Sequence, residues 1–312
     1  MSDLAERCLQ DVPVWFRRAL LVPCERRSVT VSGAAITYLA WGEPGRSGLL
    51  FVHGGGAHAH WWTHIAAGFA STHRVLAVNL SGHGWSDHRP KYSLEQWTEE
   101  ILAVAADGAI AGRPPIVGHS MGGFVTIAAA ARHSPELAGV IVCDSPVTRL
   151  DPEIGPEAAT QFGAARRVYA SVDEAVARFR TVPPQERYLP YVLDHVARTS
   201  LRPVDGGWTW SFDRTIFTQF AGQLRHVALP YLEQITCRFA LLRSEHGLVT
   251  PDIGVAMQAA LGAPASVIEL PEAGHHAMLD QPLVLLAALR AVFAEWSHRG
   301  DHERAAPPPG GR

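Results

Sequence analysis

Charge is scarce in this chain, and what there is nearly cancels. Asp, Glu, Lys and Arg make up 18 % of the 312 residues, with 27 basic side chains against 30 acidic ones and a formal net charge of −3. A surface this near neutral lacks the basic footprint that nucleic acid or an anionic membrane surface requires, so neither is predicted as a partner. Cysteine is scarce too. The four, Cys8, Cys24, Cys143 and Cys237, show no metal-type spacing, and two fall in apolar strand-like runs. Reduced, buried thiols in a cytoplasmic setting are the expectation. Also missing is any apolar run long enough to span a membrane. The opening stretch, MSDLAERCLQDVPVWFRRALL, carries charges where a signal peptide would be apolar.

What the chain does have is a large apolar fraction, 47 %, enough for an ample core. Short β-branched runs recur: RSVTVSG, AITYLAW, GLLFVHG, RVLAVNL, PPIVGHS, AGVIVCDS, RFALLRS and ASVIELPEAGH. Several are apolar on both faces, as strands of a parallel sheet covered on two sides must be. Helical patterns lie between them. The first, Ser93 to Gly112, opens on Ser-Leu-Glu-Gln, a capping-box start, followed by Trp97, Ile101, Leu102 and Ala105 at helical spacing. Met121–His133 and Pro282–Arg299 are the next clearest. The alternation predicts an α/β chain with a mostly parallel, doubly wound sheet. It stops after Ser145. Residues 146–233, with scattered aromatics and prolines, read as an insertion packing over one edge of the sheet. The core is then 29–145 plus 234–297, after an N-terminal extension over 1–28 and before a disordered tail over 298–312.

The strongest chemical signal is IVGHSMGGF, where Gly118-His119-Ser120-Met121-Gly122 fits G-x-S-x-G between an apolar strand and a small-residue helix. So tight a strand-to-helix turn needs glycines beside the serine. It pushes the hydroxyl out at the helix N-terminus, next to a backbone N–H able to bind an oxyanion.

In these residues the chain resembles the α/β-hydrolase fold family, of the serine-esterase type. Three further motifs carry the resemblance. LLFVHGGGAHAHWW looks like its His-Gly oxyanion loop, NLSGHGWSD like its Gly-His-Gly-x-Ser loop, and LPEAGHHAMLDQP like the late loop that delivers a histidine. The resemblance implies Ser120 as nucleophile, His275 as general base, and an oxyanion hole made by the N–H groups of Met121 and Gly55. It also implies a helical cap in the insertion, whose aromatics, with Trp61 and Trp62, would line an apolar pocket. Trp61, His119, Trp208 and Trp210 are the pocket candidates, although Trp208, Trp210 and Phe212 could equally pack the insertion itself. HGGG is similar to a loop of hormone-sensitive-lipase-like esterases, whose elbow reads G-D-S-A-G and differs from this one. His53, His58, His60 and His64 cluster without a carboxylate between Pro44 and Asp87, so no metal is predicted, and no cofactor.

The acid of the triad is the open question. Aligned on Pro251, the family's Gly-x-x-Asp-x-x-x-Pro pattern puts Gly247 where the aspartate belongs. Glu245 lies two positions early. Asp144 stands instead at the tip of the strand after the nucleophile helix, on the same rim as Ser120, where some α/β-hydrolases keep their acid. Asp144 is the preferred candidate and Glu245 the alternative. The implied activity is cleavage of an ester, lactone or thioester of a small apolar or amphipathic molecule. The competing readings are C–C bond hydrolysis of β-diketone-like substrates and a receptor on the same fold without turnover.

Overall fold

The computed structural model describes residues 12–148, 167–220, 228–261 and 265–305. Ten strands follow in chain order: β1 (Cys24–Val31), β2 (Ala34–Trp41), β3 (Gly48–Val52), β4 (Arg74–Val78), β5 (Pro115–His119), β6 (Gly139–Cys143), β7 (Leu201–Val204), β8 (Gly207–Trp210), β9 (Phe239–His246) and β10 (Ala265–Gly274). Eight form one sheet in the order β1-β2-β4-β3-β5-β6-β9-β10. β2 runs antiparallel to β1 and β4, and every other pairing is parallel.

The apolar runs are continuous because successive side chains leave opposite faces and both faces are covered. In β3, Leu50 and Val52 join one buried cluster while Leu49 and Phe51 join the other; β4 divides likewise, Leu76 and Val78 against Val75 and Ala77. On the first face lie the helices Leu94–Asp107 and Met121–His133, on the second the helix Pro282–Ala305. Each fully buried Leu or Phe contributes roughly 1.5–3 kcal/mol. Ser93 caps the Leu94–Asp107 helix by accepting from the Gln96 N–H at 3.1 Å.

The chain between β6 and β9 holds helices Val172–Ala177, Pro190–Thr199, Thr215–Phe220 and Leu229–Leu232. It also holds a β7–β8 hairpin, whose second strand carries the alternating Trp208 and Trp210. The segment is fastened to loops at the strand ends: Asp213 N–H to Gly82 O at 2.7 Å, Gly84 N–H to Ser211 O at 2.7 Å, Leu189 N–H to Leu279 O at 2.9 Å. The sheet begins at Cys24, and the last helix continues to Ala305, beyond the boundary read at 297. Residues 1–11, 149–166, 221–227 and 306–312, which include parts of the expected extension, insertion and tail, lie outside the described residues. Among the described cysteines Cys143 is buried, but Cys24 is exposed, because β1 is an edge strand with one open face. No helix among the described residues is long and apolar enough to cross a membrane.

Several imidazoles are buried and uncharged. Burial pushes His53 down to about 4 and His64 to about 3, and holds His58 and His83 well below their ordinary value. In the unfolded chain each titrates near 6.5, so below that pH the unfolded state takes up protons that the folded state refuses. Their contribution is therefore intact above about pH 6.5 and lost as pH falls toward about 4, at ~1.4 kcal/mol per pH unit for each ring. Urea unfolding is expected to give a level midpoint from about pH 8 to 7 and a steep fall below about pH 6. A midpoint unchanged down to about pH 5 would show that these rings are not buried neutral.

Candidate active site

The turn at the end of β5 is strained in the way its motif requires. Ser120 has φ 53° and ψ −119°, a region L-residues avoid, and the helix begins at the next residue. The glycines permit close approach: a Cβ on Gly118 would lie 2.3 Å from Gly122 O, and one on Gly122 would lie 2.4 Å from His53 O. The turn is held by Ser120 N–H to Cys143 O at 3.1 Å and Gly123 N–H to Ser120 O at 2.9 Å.

His275, directly after β10, reaches that serine. Its Nε2 lies 3.0 Å from Ser120 Oγ and its Nδ1 lies 2.7 Å from Asp144 Oδ2. An ionised carboxylate only accepts, so Nδ1 carries the proton, and the Nε2 lone pair faces the serine hydroxyl. Asp144, 1 % exposed, also accepts the N–H groups of Leu248 (2.7 Å), Val249 (3.1 Å) and Ser244 (3.3 Å). Burial alone would raise its pKa. The hydrogen bond to His275 and that ring's charge, with the Leu248 and Val249 N–H groups, outweigh it and hold the carboxyl below its ordinary value.

Gly247 now has a physical explanation. A Cβ there would sit 2.3 Å from Asp144 Oδ2 and 2.4 Å from Oδ1. The Asp144 carboxylate thus occupies the space that a side chain at 247 would need. Glu245 is exposed, and its Oε2 accepts from the Glu272 N–H at 2.8 Å. The structure brings Ser120, His275 and Asp144 into one chain of hydrogen bonds and leaves Glu245 outside it.

The His-Gly loop after β3 lies against the elbow. A Cβ on Gly54 would be 3.2 Å from Ser120 Cβ, and one on Gly55 would be 3.6 Å from Met121 Sδ. His53 fixes this loop by donating from Nδ1 to Gly54 O (2.7 Å) while its Nε2 accepts from the Leu80 N–H (3.1 Å). The Asn79–Asp87 loop is therefore a buttress. Asn79 Oδ1 accepts from the Ala59 N–H at 2.8 Å, and Glu100, buried and paired with Arg89, accepts from the Ser81 N–H at 2.7 Å. The other loop histidines are used singly: His58 meets Ser200 Oγ at 2.8 Å, His60 meets Thr63 Oγ1 at 3.2 Å, and His64 donates to Met278 O at 2.7 Å.

A cavity of about 260 Å³ opens beside Gly55 and Gly56, walled by Trp61, Phe179, Trp210, Phe212 and His276, with Arg178, Arg180 and Arg214 also lining it. Trp61 and Trp210 thus line it. Trp208 and Trp210 both pack on the small cluster of Tyr169, Ala175 and Leu201, and of the two Trp210 also lines the cavity. His119 is a buried prop, donating from Nε2 to His275 O at 2.8 Å. His276 is buried with its ring 4.7 Å from that of His275. Nothing in the sequence marked it or Phe179, since only the folded insertion brings 179 to Trp61. A second cavity, about 440 Å³, borders His275 between Pro183–Arg187 and Gly247.

Comparison with known proteins agrees with this geometry. Residues 49–289 match the alpha/beta hydrolase family model. The chain is 28 % identical over 272 residues to the esterase Rv0045c of Mycobacterium tuberculosis, covering 84 % of this chain and 88 % of that protein. It is 24 % identical over 251 residues to 2-(acetamidomethylene)succinate hydrolase of Mesorhizobium japonicum, covering 77 % and 86 %. Among solved structures, an E-2-(acetamidomethylene)succinate hydrolase superposes with a TM-score of 0.74 at 21 % identity, covering 86 % of this chain and 98 % of that one. The thioesterase domain of a curacin biosynthetic pathway gives 0.71 at 22 %, covering 85 % and 99 %.

Gly247→Ala is expected to drive the Asp144 carboxylate from its three N–H donors. The expected cost in urea unfolding is about 1–3 kcal/mol or more, as for other overpacked sites. Glu245→Ala, at an exposed residue, is expected to cost under about 0.5 kcal/mol. Equal effects would show that Asp144 does not fill the space at 247.

Proposed function

The chain belongs to the alpha/beta hydrolase family and is an enzyme of it, and on that premise we propose that it cleaves carboxylic-ester-type small molecules through Ser120, His275 and Asp144. The observation that carries this reading is the relay itself, Ser120 Oγ to His275 Nε2 at 3.0 Å and His275 Nδ1 to Asp144 at 2.7 Å.

His275 takes the hydroxyl proton as Ser120 Oγ attacks the acyl carbon. The carbonyl electron pair moves onto oxygen, where the N–H groups of Met121 and Gly55 stabilise it. Asp144 holds the resulting imidazolium by its Nδ1 proton. The tetrahedral centre collapses, the C–O bond to the alcohol breaks, and His275 gives its proton to the leaving oxygen. Water, deprotonated by His275 in turn, attacks the acyl-enzyme and releases the acid with Ser120 restored. Residues 146–233 act as a cap. The aromatic walls of the cavity beside Gly55, with arginines among its lining residues, support an apolar or amphipathic substrate. The intact relay favours turnover over a receptor role, in which nothing would hold Ser120, His275 and Asp144 in register.

The test is p-nitrophenyl butyrate hydrolysis by wild type, Asp144→Asn and Glu245→Gln. Wild type is expected to turn over, Asp144→Asn to fall by ~10⁴, and Glu245→Gln to stay within about twofold, since its side chain touches only the Glu272 backbone. Retained activity in Asp144→Asn would refute the assignment. Failure of a fluorophosphonate to label Ser120 in wild type would refute the serine mechanism as a whole.

A further inference from the structure

Three imidazoles meet at the head of the relay, and the hydrolytic reading uses only one of them directly. One ring nitrogen from each of His119, His275 and His276 lies within 4.8 Å of the other two, all in buried side chains. His119 donates from Nε2 to the carbonyl of His275 at 2.8 Å, and His276 donates from Nε2 to that of Pro183 at 3.2 Å. Because a carbonyl only accepts, these bonds fix both tautomers and leave a lone pair, not a proton, on each Nδ1. The His276 Nδ1 is buried without a hydrogen-bond partner, an orphan that a folded interior normally avoids. Burial, reinforced by the neighbouring His275, keeps both rings uncharged, with His119 pushed down to about 3 and His276 well below its ordinary value.

A neutral imidazole whose other nitrogen is anchored on a backbone carbonyl is the usual ligand of a borderline transition metal. We propose that His119, His275 and His276 form a site for such an ion, Zn²⁺ being the simplest probe, and that the ion reversibly switches hydrolysis off. His275 would offer Nε2, because its Nδ1 is committed to Asp144. That carboxylate then takes the outer position of a carboxylate–histidine–metal arrangement. Tetrahedral Zn–N bonds of about 2.0–2.1 Å put ligand nitrogens roughly 3.4 Å apart, so the rings close by about 1 Å through side-chain rotation. Ser120 Oγ, 3.0 Å from His275 Nε2, is placed to supply a fourth, oxygen ligand. The ion enters from the cavity that His276 lines. With its Nε2 lone pair bound to metal, His275 has nothing with which to take the serine proton.

Binding depends only on the histidines; inhibition rests on the hydrolytic reading above. Two readouts keep them separate. In chelator-stripped buffer, micromolar Zn²⁺ is expected to abolish p-nitrophenyl butyrate hydrolysis, EDTA to restore it, and Mg²⁺, which prefers oxygen ligands, to do nothing. Co²⁺ bound to wild type is expected to show visible d–d absorption. His276→Gln and, independently, His119→Gln are expected to weaken both effects by about tenfold or more, each measured against its own metal-free state. No Co²⁺ bands and no Zn²⁺ inhibition would overturn the proposal. So would sensitivity removed by His246→Gln, in the exposed Glu245–His246–Glu272 group, and not by His276→Gln. Co²⁺ bands without inhibition of an active enzyme would overturn the switch. Bands in a protein that never hydrolyses the ester would uphold the site while refuting the hydrolytic reading.

Discussion

One buried carboxylate ties the rim of the sheet together. Asp144 leaves the end of β6, accepts backbone N–H groups from the turn after β9, and bonds the imidazole delivered after β10. A charge so deeply buried is tolerable only when fully partnered. Those partners lie at the end of β9 and the turn after it and on the loop after β10, so the charge fixes the ends of three strands in relation to one another. The strain at Ser120 persists because what surrounds it is over-determined in this way.

Strand order makes the arrangement possible. β5, β6, β9 and β10 are consecutive neighbours, and Ser120, Asp144 and His275 follow β5, β6 and β10 at their carboxyl ends. β6 and β9 are adjacent, so position 247, in the turn after β9, faces the carboxylate that leaves β6. A side chain of any size there would displace the Asp144 carboxylate.

Much of this was legible in the sequence because its signals are local. The central sheet strands come from runs apolar on both faces, the Ser93 cap from a tetrapeptide, and the elbow from glycines that a tight turn demands. Gly247 was legible only as a puzzle, since its reason is a residue about a hundred positions away. What could not be read depends on tertiary contact alone. The pairing of β7 with β8, the place of Trp210 between Tyr169 and Phe179, and the burial of His276 against the Pro183 carbonyl are contacts that no local pattern encodes. Cys24 departs from the expectation of buried thiols because it opens β1, an edge strand with one open face.

The central claim is that Asp144, and no other acid, holds the Nδ1 proton of His275. Proton NMR of the downfield region tests it most directly, because an imidazole N–H shared with a buried carboxylate exchanges slowly and resonates far from the amide envelope. Such a resonance is expected in wild type, retained in Glu245→Gln and absent in Asp144→Asn. A resonance that survives Asp144→Asn, or disappears with Glu245→Gln, would contradict it.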